Sequence, residues 1–190
     1  MKPLFSRRPL RPLLPLTLLW PILTAQVCQA ADPAPRDRIE RGRYLVTTSG
    51  CADCHTPLKV GPRGPEPDTT RQFAGHPEGL TMPAVPTLPA GPWLVVSSAT
   101  NTAWAGPWGI SYTANLTPDP DTGLGRWSER DFVQTLLTAR HLGSGRPLLP
   151  PMPTAYGQMT ENDLRAMFAY LKTLPPVRNR VPAPQPPATP

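Results

Sequence analysis

Proline is the residue that most limits what this chain can build: 30 of its 190 residues are Pro and another 14 are Gly. Both crowd residues 57–127. A helix interior loses a hydrogen bond at every Pro, and a central strand loses a ladder bond, so this segment suits neither element. Trp93 to Ser98 is the one stretch there that reads as a short extended piece. So long an irregular segment is uncommon in a compact domain. It becomes tolerable where something other than regular secondary structure supplies the core.

Cys51-Ala-Asp-Cys54-His55, just ahead of that segment, supplies a candidate. C-x-x-C-H is the attachment sequence of a covalently bound c-type haem. Two intervening residues let one helical turn aim both thiols at the same edge of the porphyrin, and the adjacent His55 brings its imidazole under the ring. Thr56-Pro57 then ends the turn, because the residue before a proline is pushed out of the helical region. A lone C-x-x-C also occurs as a redox dithiol or as half of a zinc site. The first wants a βαβ pattern and the second another pair of ligands, and the sequence offers neither. His76 and His141 are isolated, and Cys28, the remaining cysteine, lies near the N-terminus. One covalent haem c, held by Cys51 and Cys54 with His55 on the iron, is the expectation.

Haem is attached to such proteins after export, and the first 30 residues fit that route. Lys2, Arg7, Arg8 and Arg11 precede an apolar run from Leu13 to Leu23, followed by small residues at Ala25, Ala30 and Ala31. This reads as a signal peptide over residues 1–30, leading to the periplasm. The apolar run is too short for a membrane span and is broken by Pro15 and Pro21, so the mature chain is expected to carry no transmembrane span. Removing the four basic leader residues takes the formal net charge from +6 to +2. A nucleic-acid partner is not expected, since Arg36 to Arg43 alternates with Asp37 and Glu40 instead of forming a basic stripe.

Three segments carry helical signals. Arg36 to about Gly50 has Ile39, Tyr44, Leu45 and Val46 among charges, with Gly50 placed to stop it. Ser128-Glu129-Arg130-Asp131 has the form of a capping box with Asp in the fourth position, ahead of Phe132, Val133, Leu136 and Leu137. Thr160 to Asp163 repeats that start before Leu164, Met167, Phe168 and Leu171, spaced i, i+3, i+4, i+7. Pro175-Pro176 stops the last helix. Residues 178–190 form a Pro-rich tail with no periodic apolar face, expected to be extended or disordered. Residues 31–177 are then one domain.

A haem with one imidazole has a sixth position to fill, and Met is the usual partner in electron-transfer cytochromes. Met167 falls on the apolar face of the last helix, Met159 precedes its cap, and Met82 sits in a loop before Pro83 and stays an alternative. Met152 stands in Leu148-Leu149-Pro150-Pro151-Met152-Pro153, where three prolines fix the backbone, so its thioether is the expected distal ligand.

Several further motifs carry a family resemblance: Tyr112 to Trp127 with Asn115-Leu116-Thr117-Pro118-Asp119, Thr122-Gly123 and Gly125; the Pro-Pro-Met-Pro loop; Tyr156; and the closing helix. With the haem motif they resemble a monohaem class I c-type cytochrome, and more narrowly the cytochrome domains serving periplasmic dehydrogenases of alcohols and sugars. The resemblance covers most of residues 36–177. It implies an all-α, cytochrome c-like fold, a few helices around a covalently bound haem, here with a long irregular Pro/Gly-rich insertion. It also implies Cys51 and Cys54 as haem attachment sites and His55 and Met152 as axial iron ligands. Arg63, Arg71, Trp93, Trp104, Trp108, Tyr112, Trp127 and Tyr156 are candidates for lining the haem or its propionates. The expected function is one-electron transfer, not enzymatic turnover, from a dehydrogenase donor to an oxidase or other respiratory acceptor. Two alternatives stay open: a haem subunit of a larger oxidoreductase complex, and a haem enzyme with an exchangeable sixth ligand, for which His141 beside Arg140 is the conspicuous acid/base candidate.

Overall fold

The computed structural model describes residues 35–85 and 91–187. The export segment expected over residues 1–30, with Cys28, lies outside the described residues. Helix α1 (Pro35–Thr48) opens on a proline, tolerated at the first position because that N–H has no intrahelical partner. Gly50, in the left-handed region at φ 69°, turns the chain into the single-turn helix α2 (Cys51–His55). Helix α3 (Glu129–Thr138) starts at the expected capping box: Ser128 Oγ accepts from Asp131 N–H at 3.1 Å, and Asp131 Oδ2 accepts from Ser128 N–H at 2.9 Å. Helix α4 (Glu161–Leu171) is capped by Thr160, whose hydroxyl oxygen accepts from Asp163 N–H at 3.2 Å.

The core forms where α1, α3 and α4 meet. Leu45 and Val46 of α1, Phe132, Val133 and Leu136 of α3, and Leu164, Met167, Phe168 and Leu171 of α4 are buried together with Phe73 and Leu124. The periodicity placed the α3 and α4 residues and Leu45 and Val46 on apolar faces, and they bury those faces against one another, whereas Tyr44 of α1 is exposed. Gly42 is buried where α1 crosses α4; a Cβ there would run into the carbonyl of Ala166 and come within 2.9 Å of Tyr170 Cβ. Arg41 Nε donates to Asp163 Oδ1 at 3.0 Å across the same crossing.

The all-α expectation needs correction, because the Pro/Gly-rich insertion builds two small antiparallel sheets. Strands β1 (Leu58–Gly61) and β2 (Gly64–Pro67) form one hairpin; β3 (Val96–Ser97), β4 (Ala103–Gly106) and β5 (Gly109–Tyr112) form a three-stranded meander. The physical reason is turn chemistry. Each of the two-residue hairpin loops is a Gly-Pro-x-Gly, Gly61-Pro-Arg-Gly64 and Gly106-Pro-Trp-Gly109, with the closing glycine at φ 115° and 90°. Pro in the second place and Gly in the fourth favour a reversal. The punctuation that argues against long elements therefore specifies short ones. The extended piece expected at Trp93 to Ser98 contributes β3.

Residues 178–187, expected as an extended or disordered tail, take the extended form and are held down. Asn179 is fully buried: its Oδ1 accepts from Arg71 Nη2 at 2.6 Å and Glu78 N–H at 2.8 Å, and its Nδ2 donates to the carbonyls of Ala74 and His76 at 2.7 and 2.8 Å. Farther on, Gln185 and Ile110 exchange backbone hydrogen bonds of 2.9 Å, so the segment lies along the outer edge of β5. Among the described residues no helix is long and apolar enough to cross a membrane.

Candidate functional site

One turn of helix presents both thiols. Cys51 and Cys54 are three residues apart on α2, on the same face. His55 follows, buried, with Nδ1 2.8 Å from the carbonyl oxygen of Ala114. A carbonyl only accepts, so Nδ1 carries the hydrogen and Nε2 keeps its lone pair, the tautomer expected of a metal-ligating imidazole. Burial lowers the His55 pKa, the Ala114 carbonyl partly opposing it, which keeps the ring neutral. Burial also pushes the Cys51 thiol up to about 11, with the Tyr156 hydroxyl partly offsetting it, and raises Cys54 in the same direction. Tyr156 is itself pushed up to about 12, by burial first and by Cys51 next, and its hydroxyl donates to the Ser49 carbonyl at 2.8 Å just before the motif.

These side chains open onto a cavity of about 840 Å³. Cys51, Cys54, His55 and Met152 all line it, brought together from α2 and from the loop between α3 and α4. Its apolar wall includes Trp104, Leu116, Trp127, Phe132, Leu136, Leu148, Leu149 and Met167. The size, and the mix of an apolar wall with polar groups, are those of a cofactor site. Of the other methionines, Met167 is a core residue that also reaches this wall, Met159 packs at the core margin, and Met82 lines a small separate pocket.

Among the aromatic and basic candidates, Trp104, Tyr112, Trp127 and Tyr156 line the cavity, while Arg63, Arg71, Trp93 and Trp108 do not. Trp93 is 73% exposed. Arg71 instead serves Asn179. His76 stays apart from the cavity as a buried structural residue, with Nδ1 3.0 Å from the Thr102 hydroxyl and Nε2 3.0 Å from the Leu80 carbonyl. His141 is not a plain surface histidine: it lies in the cavity wall, edge-on to Trp127 with ring centroids 5.1 Å apart. Burial lowers its pKa, and Arg146 lowers it further. Sequence reasoning missed Arg146 and the segment Arg180–Pro184, which complete the wall. No local signal marked them, since both reach the cavity through tertiary packing. Among the described residues no three His, Cys, Asp or Glu side chains cluster as a metal site of their own, so the second pair that a zinc centre needs is absent there.

A cavity with a largely apolar wall that receives two thiols, a neutral imidazole and a thioether is what a haem protein of the cytochrome c class needs. Sequence comparison agrees. The chain is 32% identical over 148 residues, 77% of its length, to a nicotinate dehydrogenase subunit of Pseudomonas putida. It is 32% identical over 177 residues, 86% of its length, to the cytochrome c subunit of the quinone-type alcohol dehydrogenase of Gluconacetobacter polyoxogenes. It is 29% identical over 152 residues, 76% of its length, to the fructose dehydrogenase cytochrome subunit of Gluconobacter japonicus. Its similarity to the cytochrome subunits among these relatives, over three quarters or more of its length, supports a c-type cytochrome domain. It spans only 9%, 31% and 24% of those relatives' own lengths. No protein-family profile matches it.

Such relatives imply haem c, and the residues present fit that group. Its iron would meet the Nε2 lone pair left by the His55–Ala114 bond, and its two carboxylates suit polar groups of the wall that lack partners. Trp104 Nε1 and Thr113 Oγ1 are buried without a hydrogen-bond partner among the described residues, and both residues line the cavity.

Proposed function

We propose that this chain is the haem-bearing electron-transfer component of a periplasmic dehydrogenase system, carrying one covalent haem c. Haem c, when bound, supplies a one-electron ferric/ferrous couple. Cys51 and Cys54 would hold it by thioether bonds, and His55 and Met152 would be its axial ligands. The observation that carries this reading is the convergence of these four side chains on one cavity from two separated segments. The Ala114 carbonyl fixes the orientation of the imidazole, and Tyr156, just after the Met152 loop, ties that part of the chain to Ser49 at the start of the motif. With the imidazole held by the Ala114 carbonyl and the thioether on a loop stiffened by prolines, the coordination shell would change little between oxidation states, which suits electron transfer. Arg146 and Arg180 in the wall are suited to the negative carboxylates of the cofactor.

Membership of a dehydrogenase assembly is favoured over an independent shuttle, because the relatives include proteins named as subunits of alcohol, fructose and gluconate dehydrogenases. Export through the expected leader puts the chain in the periplasm, where donor and acceptor would be redox proteins. The test is expression with a cytochrome-maturation apparatus. The expected product is a coloured chain whose two pentapeptide thiols resist alkylation, with a Met-to-ferric-haem charge-transfer band that Met152→Ala abolishes. A colourless product with both thiols alkylated refutes the haem reading, and a band that survives in Met152→Ala refutes the distal ligand.

A further inference from the structure

The loop carrying Met152, residues 147–153, is poor in ways to attach itself to the rest of the protein. Pro147, Pro150, Pro151 and Pro153 have no N–H, so only Leu148, Leu149 and Met152 offer backbone donors. Two of these are used locally: Leu148 N–H donates to the Ala139 carbonyl at 2.8 Å and Met152 N–H to that of Leu149 at 3.2 Å. Apart from the short helical turn Thr154–Gln158 that continues it, one hydrogen bond among the described residues reaches this loop from outside residues 139–158. Ser111 Oγ donates to the Pro150 carbonyl at 2.6 Å. Its other acceptor, the Trp104 carbonyl, is 3.4 Å away, so the single hydroxyl hydrogen belongs to Pro150.

Ser111 is well placed for this task. It is 7% exposed and lies on β5, which is paired with β4 on one edge and with Gln185 on the other. Its donor is therefore fixed in position, while the carbonyl it fixes precedes Met152 by two residues. A methionine side chain has three rotatable bonds and a neutral sulfur, so how long it stays at a set point depends on how firmly its backbone is held.

We infer that Ser111 is a positioning residue for Met152, its hydroxyl locking the Pro150 carbonyl and thereby keeping the thioether seated in the cavity. The inference rests on Met152 being the distal ligand. Without the hydroxyl, the loop swings away more often and the sixth position becomes more accessible to an added ligand.

The experiment is a titration of ferric holoprotein with imidazole, read by the haem absorbance, for wild type, Ser111→Ala, Ser111→Thr and Met152→Ala. Ser111→Ala is expected to bind imidazole about fivefold more tightly than wild type, the factor that one net hydrogen bond of ~1 kcal/mol represents. Ser111→Thr, which keeps a hydroxyl, should stay near wild type. On the Met152→Ala background, Ser111→Ala should have no effect, which a general loss of stability would not reproduce. Should Ser111→Ala yield no holoprotein, Ser111→Cys, of similar shape and a weak donor, is expected to shift in the same direction. Wild-type imidazole affinity in Ser111→Ala or its Cys substitute, alongside much tighter binding in Met152→Ala, overturns the role of Ser111 alone. Wild-type affinity in Met152→Ala overturns the ligand reading, and the inference with it.

Discussion

Asn179 is the position where the structure makes its sharpest quantitative demand. Its side-chain amide can accept two hydrogen bonds and donate two, and all four are made, to Arg71, Glu78, Ala74 and His76. Its backbone N–H adds a bond to Thr122 Oγ1 at 2.9 Å. Asn179→Ala removes the side-chain set at once. It strands the Glu78 N–H and the carbonyls of the buried Ala74 and His76, beside an Arg71 whose Nε already lacks a partner among the described residues. A neutral bond is worth about 1 kcal/mol net, one to a charged group up to about 3, and buried groups left without partners cost more than the bonds they lose. Partial relaxation and water entry recover part of this. The expected loss is about 3–5 kcal/mol. For a chain of this size that is a fall in Tm of roughly 6–20 °C.

The assay is denaturant unfolding of the holoprotein followed by far-UV circular dichroism, with amide hydrogen exchange as the local readout. The Glu78 amide should lose protection first, because its acceptor is gone, while amides inside α4 keep theirs until global unfolding. A variant within about 1 kcal/mol of wild type refutes the account of residues 178–187 as structural. So would retained protection at Glu78.

Two further expectations concern packing and pH. Gly42→Ala drives a methyl group into the Ala166 carbonyl at the α1–α4 crossing, so despite alanine's better helix propensity it should destabilise by about 1–3 kcal/mol in the same unfolding assay; a neutral or stabilised variant sinks the close-contact argument. Burial lowers the His76 pKa, so the unfolded chain takes up a proton that the folded chain refuses. That part of the stability is fully present above the ordinary histidine pKa of about 6.5 and is lost as pH falls below it. His76→Gln should flatten the fall between neutral and acidic pH, leaving the shares of His55 and His141, whose shifts have the same sign. Identical pH slopes in wild type and His76→Gln refute this assignment.

The parts legible in the sequence are those written in local code. Ser128 and Thr160 announce helix starts because a cap bonds within three residues, and Cys51, Cys54 and His55 announce a haem site because the spacing itself is the chemistry. The strands escaped notice because β4 and β5 are four residues each, too short for a period of two to stand out from the Pro/Gly background. The Gly-Pro-x-Gly pair that marks both hairpins was the available signal. The course of residues 178–187 was not legible at all, since the bonds that hold Asn179 reach about a hundred residues back along the chain.

These long-range bonds share one physical origin. Each proline removes a backbone donor but keeps its carbonyl, so a Pro-rich segment accumulates acceptors that its own backbone cannot satisfy. Side chains make up the deficit. Asn179 Nδ2 donates to Ala74 and His76, Asn115 Nδ2 to the Val177 carbonyl at 2.8 Å, Ser111 Oγ to Pro150, and Lys172 Nζ to the carbonyls of Leu124 and Gly125 at 3.1 and 2.7 Å. All these donors sit beside or in the wall of the cavity or on the helix packed behind it. The irregular half of the molecule is thus ordered by a small set of polar side chains as well as by its short ladders, and removing any one of them takes a hydrogen bond from each carbonyl it serves. That is why the largest effects of substitution are expected at Asn179 and at the helix crossing, while Ser111, which holds a single carbonyl, should shift the Met152 loop and leave the fold in place.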